Sequence, residues 1–178
     1  MILCYNQYSE KEGGIHMKKI IRCLIGICII TLLASACQSY DDISVMLGAD
    51  VSAAKEISSE DSHGGFHGDG ERYLIFTFED DSFENTIKKD NTWHKLPVTD
   101  DAVTALLYGL ETPEMTYGPY INQDIPKISN GYYFFYDRHS ESVDPFDAAN
   151  VLKRGSFNFT AAIYDTVTDT LYYVELDT

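Results

Sequence analysis

Cysteine is confined to the beginning of this 178-residue chain. Its four cysteines are Cys4, Cys23, Cys28 and Cys37, and none occurs in the 141 residues that follow. A domain formed by those residues has no disulfide and no cysteine-bound metal, so its stability must come from an apolar core. One core and one domain are expected for an ordered chain of about 125 residues.

Basic residues are scarce. The chain has 13 lysines and arginines against 28 acidic residues, a formal net charge of −15. After residue 36, nine basic and 26 acidic residues remain, and the net charge becomes −17. Such a surface avoids nucleic acid and anionic lipid heads, so we expect no nucleic-acid partner. It favours cations, cationic peptides or neutral ligands such as sugars, although the acidity can also serve solubility alone.

The common catalytic motifs are missing. The chain contains no P-loop, no G-x-G-x-x-G and no G-x-S-x-G. His139 precedes Ser140, but neighbours on an extended chain point apart. With so many acidic residues, a pair of carboxylates suited to glycoside hydrolysis carries no information. We therefore expect no enzymatic activity, no catalytic residue and no cofactor.

Long apolar runs are also few, and the clearest lies near the N-terminus. Lys18, Lys19 and Arg22 follow Met17, and an apolar segment of about a dozen residues then ends in Ala34-Ser35-Ala36. That length falls short of the roughly 20 residues that a membrane-spanning helix needs. The pattern is typical of a secretory signal peptide.

The cysteine directly after these small residues resembles the lipobox of bacterial lipoproteins, a likeness that covers residues 17–37. It implies that Cys37 carries a diacylglycerol anchor, that residues 17–36 are removed, and that the protein is held extracytoplasmically on a membrane. The family prefers leucine three places before the cysteine, where this chain has Ala34. Two alternatives stay open: a retained membrane-spanning anchor, and a secreted protein whose cysteine carries no lipid.

These observations divide the chain into four parts. Residues 11–14, Lys-Glu-Gly-Gly, can be encoded by a purine-rich run at the distance of a ribosome-binding site from the Met17 codon. Residues 1–16 are therefore expected to be an upstream extension that is not translated. Residues 17–36 are the signal peptide, residues 37–50 the lipidated cysteine and a tether, and residues 51–178 one globular domain. As a whole, the globular region resembles only small bacterial lipoproteins of uncharacterised function.

Alternating apolar residues predict five strands, at residues 54–61, 72–78, 131–138, 157–165 and 170–176. Helices are predicted at residues 81–90, 98–109 and 144–155, the second with Thr99 as its N-terminal cap. The strands neighbour each other mostly as hairpins. The sequence therefore predicts an α+β domain with a single antiparallel sheet of about five strands and two or three helices packed on one face.

Two segments and one set of aromatic residues are candidates for a functional surface. In HGGFHGDG, residues 63–70, the metal candidates are His63, His67 and Asp69, although the glycines favour a plain hairpin turn. Residues 111–130 form a long, proline-containing loop, which is the first place to look for a binding surface. An aromatic set can be either core or a ligand platform: Tyr132, Tyr133, Phe134, Phe135, Tyr136, Tyr172 and Tyr173.

The function predicted from the sequence is a non-enzymatic binding or accessory role at a membrane surface. One version is capture of a cationic peptide, as some immunity lipoproteins do. The partners would be the membrane, through the acyl anchor on Cys37, and an unknown ligand or envelope protein. The alternative is a metal-binding protein or metal-dependent hydrolase that uses His63 and His67. A purely structural role in the envelope also stays open.

Overall fold

The computed structural model describes residues 41–64 and 68–178, which include an α+β domain. The described residues divide into two units, one of which ends at Ile43 while the other comprises Ser44–Thr178. Helix α1 covers residues 41–47. The sequence predicts a tether up to residue 50, whereas residues 44–50 belong to the second unit, in which Leu47 and Ala49 are buried.

The described part of the chain has eight strands after α1, and six of them form one antiparallel sheet. Its order is β1-β2-β8-β7-β6-β3, so β8 lies in the interior and β1 and β3 are the edges. Strands β4 and β5 pair separately as a short ribbon. The bounds are β1 Lys55–Asp61, β2 Gly70–Thr77, β3 Trp93–Lys95, β4 Leu110–Glu111, β5 Thr116–Tyr117, β6 Gly131–Asp137, β7 Asn158–Asp165 and β8 Thr170–Asp177.

The five predicted strands are present, and β3 is a sixth member of the sheet that the prediction of about five lacks. The predicted helices at residues 81–90 and 98–109 are α2 (Ser82–Ile87) and α3 (Asp101–Tyr108). The predicted helix at residues 144–155 is wrong in extent, because only a 3₁₀ turn forms, at Val151–Lys153. Asp144 and Asp147 there accept hydrogen bonds from backbone amides two residues ahead, which competes with helix formation.

One face of the sheet carries the main apolar core. Val103, Leu106 and Leu107 of α3 pack there with side chains of β2, β6, β7 and β8. Ile121 and Ile125, from the long loop after β5, belong to the same cluster and hold that loop on the sheet. Fully burying such side chains contributes roughly 1.5–3 kcal/mol each.

The opposite face is covered by α2 and the chain around Leu47. The Phe83 ring of α2 lies 4.4 Å from that of Phe78 and 5.2 Å from that of Tyr164, measured between centroids. The indole N–H of Trp93 donates to the Leu47 carbonyl at 3.0 Å. The prediction that the helices pack on one face of the sheet is therefore wrong. The central strands are apolar on both sides, so both faces must be covered.

Candidate functional site

A cleft of about 190 Å³ lies where β1 ends, β2 begins and the long loop crosses. Its walls combine residues from three separate segments, which only the fold brings together. Among the described residues no lysine or arginine lines it, although three acidic residues do. The lining residues are Glu60, Asp61, Ser62, Glu71, Tyr73, Asn122 and Gln123.

Glu71 is the centre of this cleft and is 6% exposed. Its backbone is fixed by Ser62, whose hydroxyl accepts from the Glu71 amide at 2.8 Å and whose own amide donates to the Glu71 carbonyl at 2.9 Å. Its Oε2 accepts two hydrogen bonds from Asn122, one from the backbone amide at 2.8 Å and one from Nδ2 at 3.1 Å. Its Oε1 is buried and receives no hydrogen bond from any residue that the structure describes. One half of a buried carboxylate is thus left without a donor.

The other walls keep the cleft negative. Glu60 lies opposite Tyr73 in the β1–β2 pairing, so both side chains project to the same face of the sheet. Gln123 Nε2 donates to Glu60 Oε2 at 2.6 Å. Burial raises the pKa of Tyr73 to about 12, and the nearby charges of Asp124 and Glu60 act in the same direction. The phenol therefore stays neutral at physiological pH and provides a wall without charge.

His63 lies beside this cleft, between two carboxylates. Its Nδ1 is 2.7 Å from Asp61 Oδ1 and its Nε2 is 3.2 Å from Asp177 Oδ2. Asp177 also pairs with Arg138 at 3.0 Å. Partial burial tends to raise the pKa of Asp61, but hydrogen bonds from His63 and the charges of His63 and Arg72 hold it below its ordinary value. This network ties the loop after β1 to the end of the interior strand β8.

The structure describes two of the three metal candidates, His63 and Asp69. Both ring nitrogens of His63 lie within hydrogen-bond distance of carboxylates, Nδ1 of Asp61 and Nε2 of Asp177, so these two side chains already engage the imidazole. Asp69 is exposed, and His67 lies outside the described residues. In residues 41–64 and 68–178, no group of three histidine, cysteine or acidic side chains is placed to hold a metal ion.

His139 pairs with a serine, but not with its neighbour Ser140. Its Nε2 lies 3.0 Å from Ser156 Oγ, while its Nδ1 accepts from the Glu141 backbone amide at 3.1 Å. A neutral imidazole that accepts at Nδ1 carries its hydrogen on Nε2. It then donates to the serine rather than removing its proton, which is the wrong tautomer for a nucleophilic dyad.

The aromatic residues of β6 and β8 form the core and not an open platform. Tyr133, Phe134, Phe135 and Tyr173 are buried. The other members of the set are half-buried, namely Tyr132, Tyr136 and Tyr172. Of the two interpretations that the sequence leaves open, the core is the one observed.

The predicted lipid site, Cys37, lies outside the described residues, as does the whole predicted signal peptide at residues 17–36. No helix in the described part of the chain has both the length and the apolar character to cross a membrane.

Comparisons of the chain with protein-family models, with curated proteins and with solved structures give no significant match.

The loop at residues 111–130, predicted as the first place to look for a binding surface, provides Asn122 and Gln123 to the cleft. Glu71 is not among the residues predicted from the sequence. The alternation in β2 contained a usable sign, because Glu71 has the same parity as Tyr73 and Ile75 and so belongs to the face that the core covers. A buried carboxylate is costly unless it has a hydrogen-bond donor or a cation beside it, so an acidic residue at an inward-facing position indicates that it needs such a partner.

Proposed function

We propose that this chain is a lipid-anchored extracytoplasmic protein with a non-enzymatic binding role, and that its ligand is cationic. The observation that carries the binding role is the cleft, which is lined by Glu60, Asp61 and Glu71 and, within residues 41–64 and 68–178, by no basic side chain. The net charge of −17 after residue 36 supports the same sign of ligand, because a negative surface concentrates cations around it.

The anchor is supported by the sequence alone. Cys37 is the cysteine that directly follows the small residues Ala34-Ser35-Ala36. A thiolate is a strong nucleophile for alkylation, which suits it for lipid attachment. An anchor at this position places the acidic domain next to a membrane surface, where a tethered binding protein meets ligands that approach the cell.

The anchor is tested by Cys37→Ser in cells. We expect the variant either to leave the membrane fraction or to accumulate as an unprocessed precursor, because the thiol that accepts the lipid is gone. Cys28→Ser is the matched control, since it removes a thiol from the apolar segment and should leave processing unchanged. Unaltered processing and membrane retention of Cys37→Ser would contradict the lipoprotein assignment.

The cationic ligand is tested by calorimetric titration of the detergent-purified full chain with a short lysine-rich peptide and with its glutamate-substituted counterpart. We expect binding of the first only, weakening as salt is added, because screening reduces attraction between exposed charges. Equal binding of both peptides, or of neither, would contradict a preference for cations.

A further inference from the structure

One carboxylate oxygen of Glu71, a residue that lines the cleft, has no hydrogen-bond donor among the described residues. The side chain is 94% buried, and its Oε2 is already occupied by two donors of Asn122. Oε1 is left without a donor from the described residues although it is removed from the surface. A buried carboxylate oxygen without a hydrogen bond is costly, so a ligand that donates a hydrogen bond to Oε1 removes that cost.

The geometry of Glu71 discriminates between cationic groups. A guanidinium binds best to a carboxylate when two parallel hydrogen bonds reach both oxygens. That arrangement is blocked here because Asn122 occupies Oε2. An ammonium is a compact charge with three donors, and it can bind through Oε1 alone. Its two other donors can then be directed at further acceptors on the wall, such as the Glu60 carboxylate, which lies on the same face of the sheet as Glu71.

A divalent cation fits the cleft less well. Ca²⁺ takes six to eight oxygen ligands at about 2.3–2.6 Å, several of them carboxylates. Among the described residues no cluster of three acidic or histidine side chains has that arrangement. The cleft is also far larger than the space of one water or ion, at about 190 Å³, so an alkyl chain can enter behind the charged group.

We propose that this cleft receives one primary alkylammonium group, with Glu71 Oε1 as its principal acceptor. The inference rests on the proposed cationic ligand and specifies its chemistry. The source of the group is either a free amine or a lysine side chain. The cleft borders β1, which is an edge of the sheet and pairs only with β2 among the described strands, so an extended peptide backbone has room alongside it.

The test uses the detergent-purified full chain and four probes: n-butylammonium, and the acetylated, amidated tripeptides Ala-Lys-Ala, Ala-Arg-Ala and Ala-norleucine-Ala. Binding is measured by titration, and the site is located from NMR shifts of the Ser62 and Asn122 amides. We expect the lysine peptide to bind, the arginine peptide to bind at least tenfold more weakly, and the norleucine peptide not to bind. Equal affinity of butylammonium and the lysine peptide identifies a free amine as the source, whereas tighter peptide binding identifies a lysine side chain.

Glu71→Gln keeps the shape of the side chain and removes its charge. We expect it to lower affinity for the lysine peptide by about 10- to 100-fold, the range for one charge-assisted hydrogen bond. The control is Glu79→Gln, which makes the same change of charge beyond the other end of β2 and should leave affinity unchanged. Glu60→Gln, at an exposed position that does not endanger folding, should give a smaller loss than Glu71→Gln.

The outcomes separate this inference from the function on which it rests. Equal losses in Glu71→Gln and Glu79→Gln would overturn the ammonium site and leave a cationic ligand in place. Binding of norleucine as tightly as lysine would also overturn it. If no cationic probe binds at all, both the ammonium site and the cationic ligand are overturned.

Discussion

At the scale of single residues, the N-terminal cap of α3 is one position away from the residue that the sequence predicts. Thr99 and Asp100 are both good capping residues, and the sequence pattern gives no reason to reject the first. In the structure, Asp100 is the cap: its Oδ1 accepts from the amides of Ala102 at 2.8 Å and Val103 at 3.0 Å. The prediction of Thr99 is wrong by one residue. The cap is the last extended residue before the helix, and that residue is Asp100.

Asp100→Ala should lower the free energy of unfolding by about 1 kcal/mol, the usual cost of removing a side-chain cap. Two amide groups at the helix start lose their acceptor, and α3 packs on the main core through Leu106 and its neighbours. The measurement is urea unfolding followed by the fluorescence of Trp93, the single tryptophan.

The matched control is Asp101→Ala, which removes an exposed charge from the same helical turn without removing the cap. Its effect should be smaller, in the range of a helix-dipole interaction at about 0.3–1 kcal/mol. Equal losses in the two variants would show that charge near the helix start, and not the cap, accounts for the stability.

Functional residues were harder to predict than structural ones at this scale. The chemistry of His63 makes it a candidate ligand in the sequence, but only the fold shows that Asp177, 114 positions later, lies within hydrogen-bond distance of its Nε2. Glu71 and Asn122 are 51 positions apart, and no local pattern connects them. Contacts of that kind depend on sheet register and loop path, which one sequence does not determine.

At the scale of elements, long strands can be predicted from the sequence and short strands cannot. Strands of seven or eight residues, such as β2 and β8, contain enough alternation to be recognised. β3 has three residues and β4 and β5 have two each, so they contain hardly one period of the pattern. The strand order was not predictable either, because it depends on β8 returning to pair with β2.

Truncation after Asp169 removes β8 and should leave the domain unfolded or aggregated. β8 lies between β2 and β7, and its Leu171 and Val174 are fully buried. Its loss removes core side chains and exposes the pairing edges of two strands together. The checks are size-exclusion chromatography and a thermal melt. Deletion of Thr178 alone is the control and should keep a cooperative melt; a similar melt after loss of β8 would contradict the observed sheet order.

At the scale of the whole molecule, the buried tyrosines together make the stability of the fold sensitive to high pH. The pKa values of Tyr73 and Tyr108 are raised by burial to about 12, and those of Tyr133, Tyr164, Tyr172 and Tyr173 are also raised by burial. In the unfolded chain a tyrosine ionises near its ordinary value of 10.0. Above that pH the folded state binds more protons than the unfolded state, so the free energy of unfolding must fall as pH rises.

The resulting prediction is a steep loss of stability between about pH 10 and pH 12, to which each strongly shifted tyrosine contributes on the order of 2 kcal/mol. Tyr73→Phe should reduce this loss, because phenylalanine fills the same space and has no proton to release. The measurement is urea unfolding at a series of pH values, compared with the full chain. Because lysines titrate in the same range in every variant, only the difference between curves reports the tyrosine, and identical curves for Tyr73→Phe and the unaltered protein would contradict the shifted pKa.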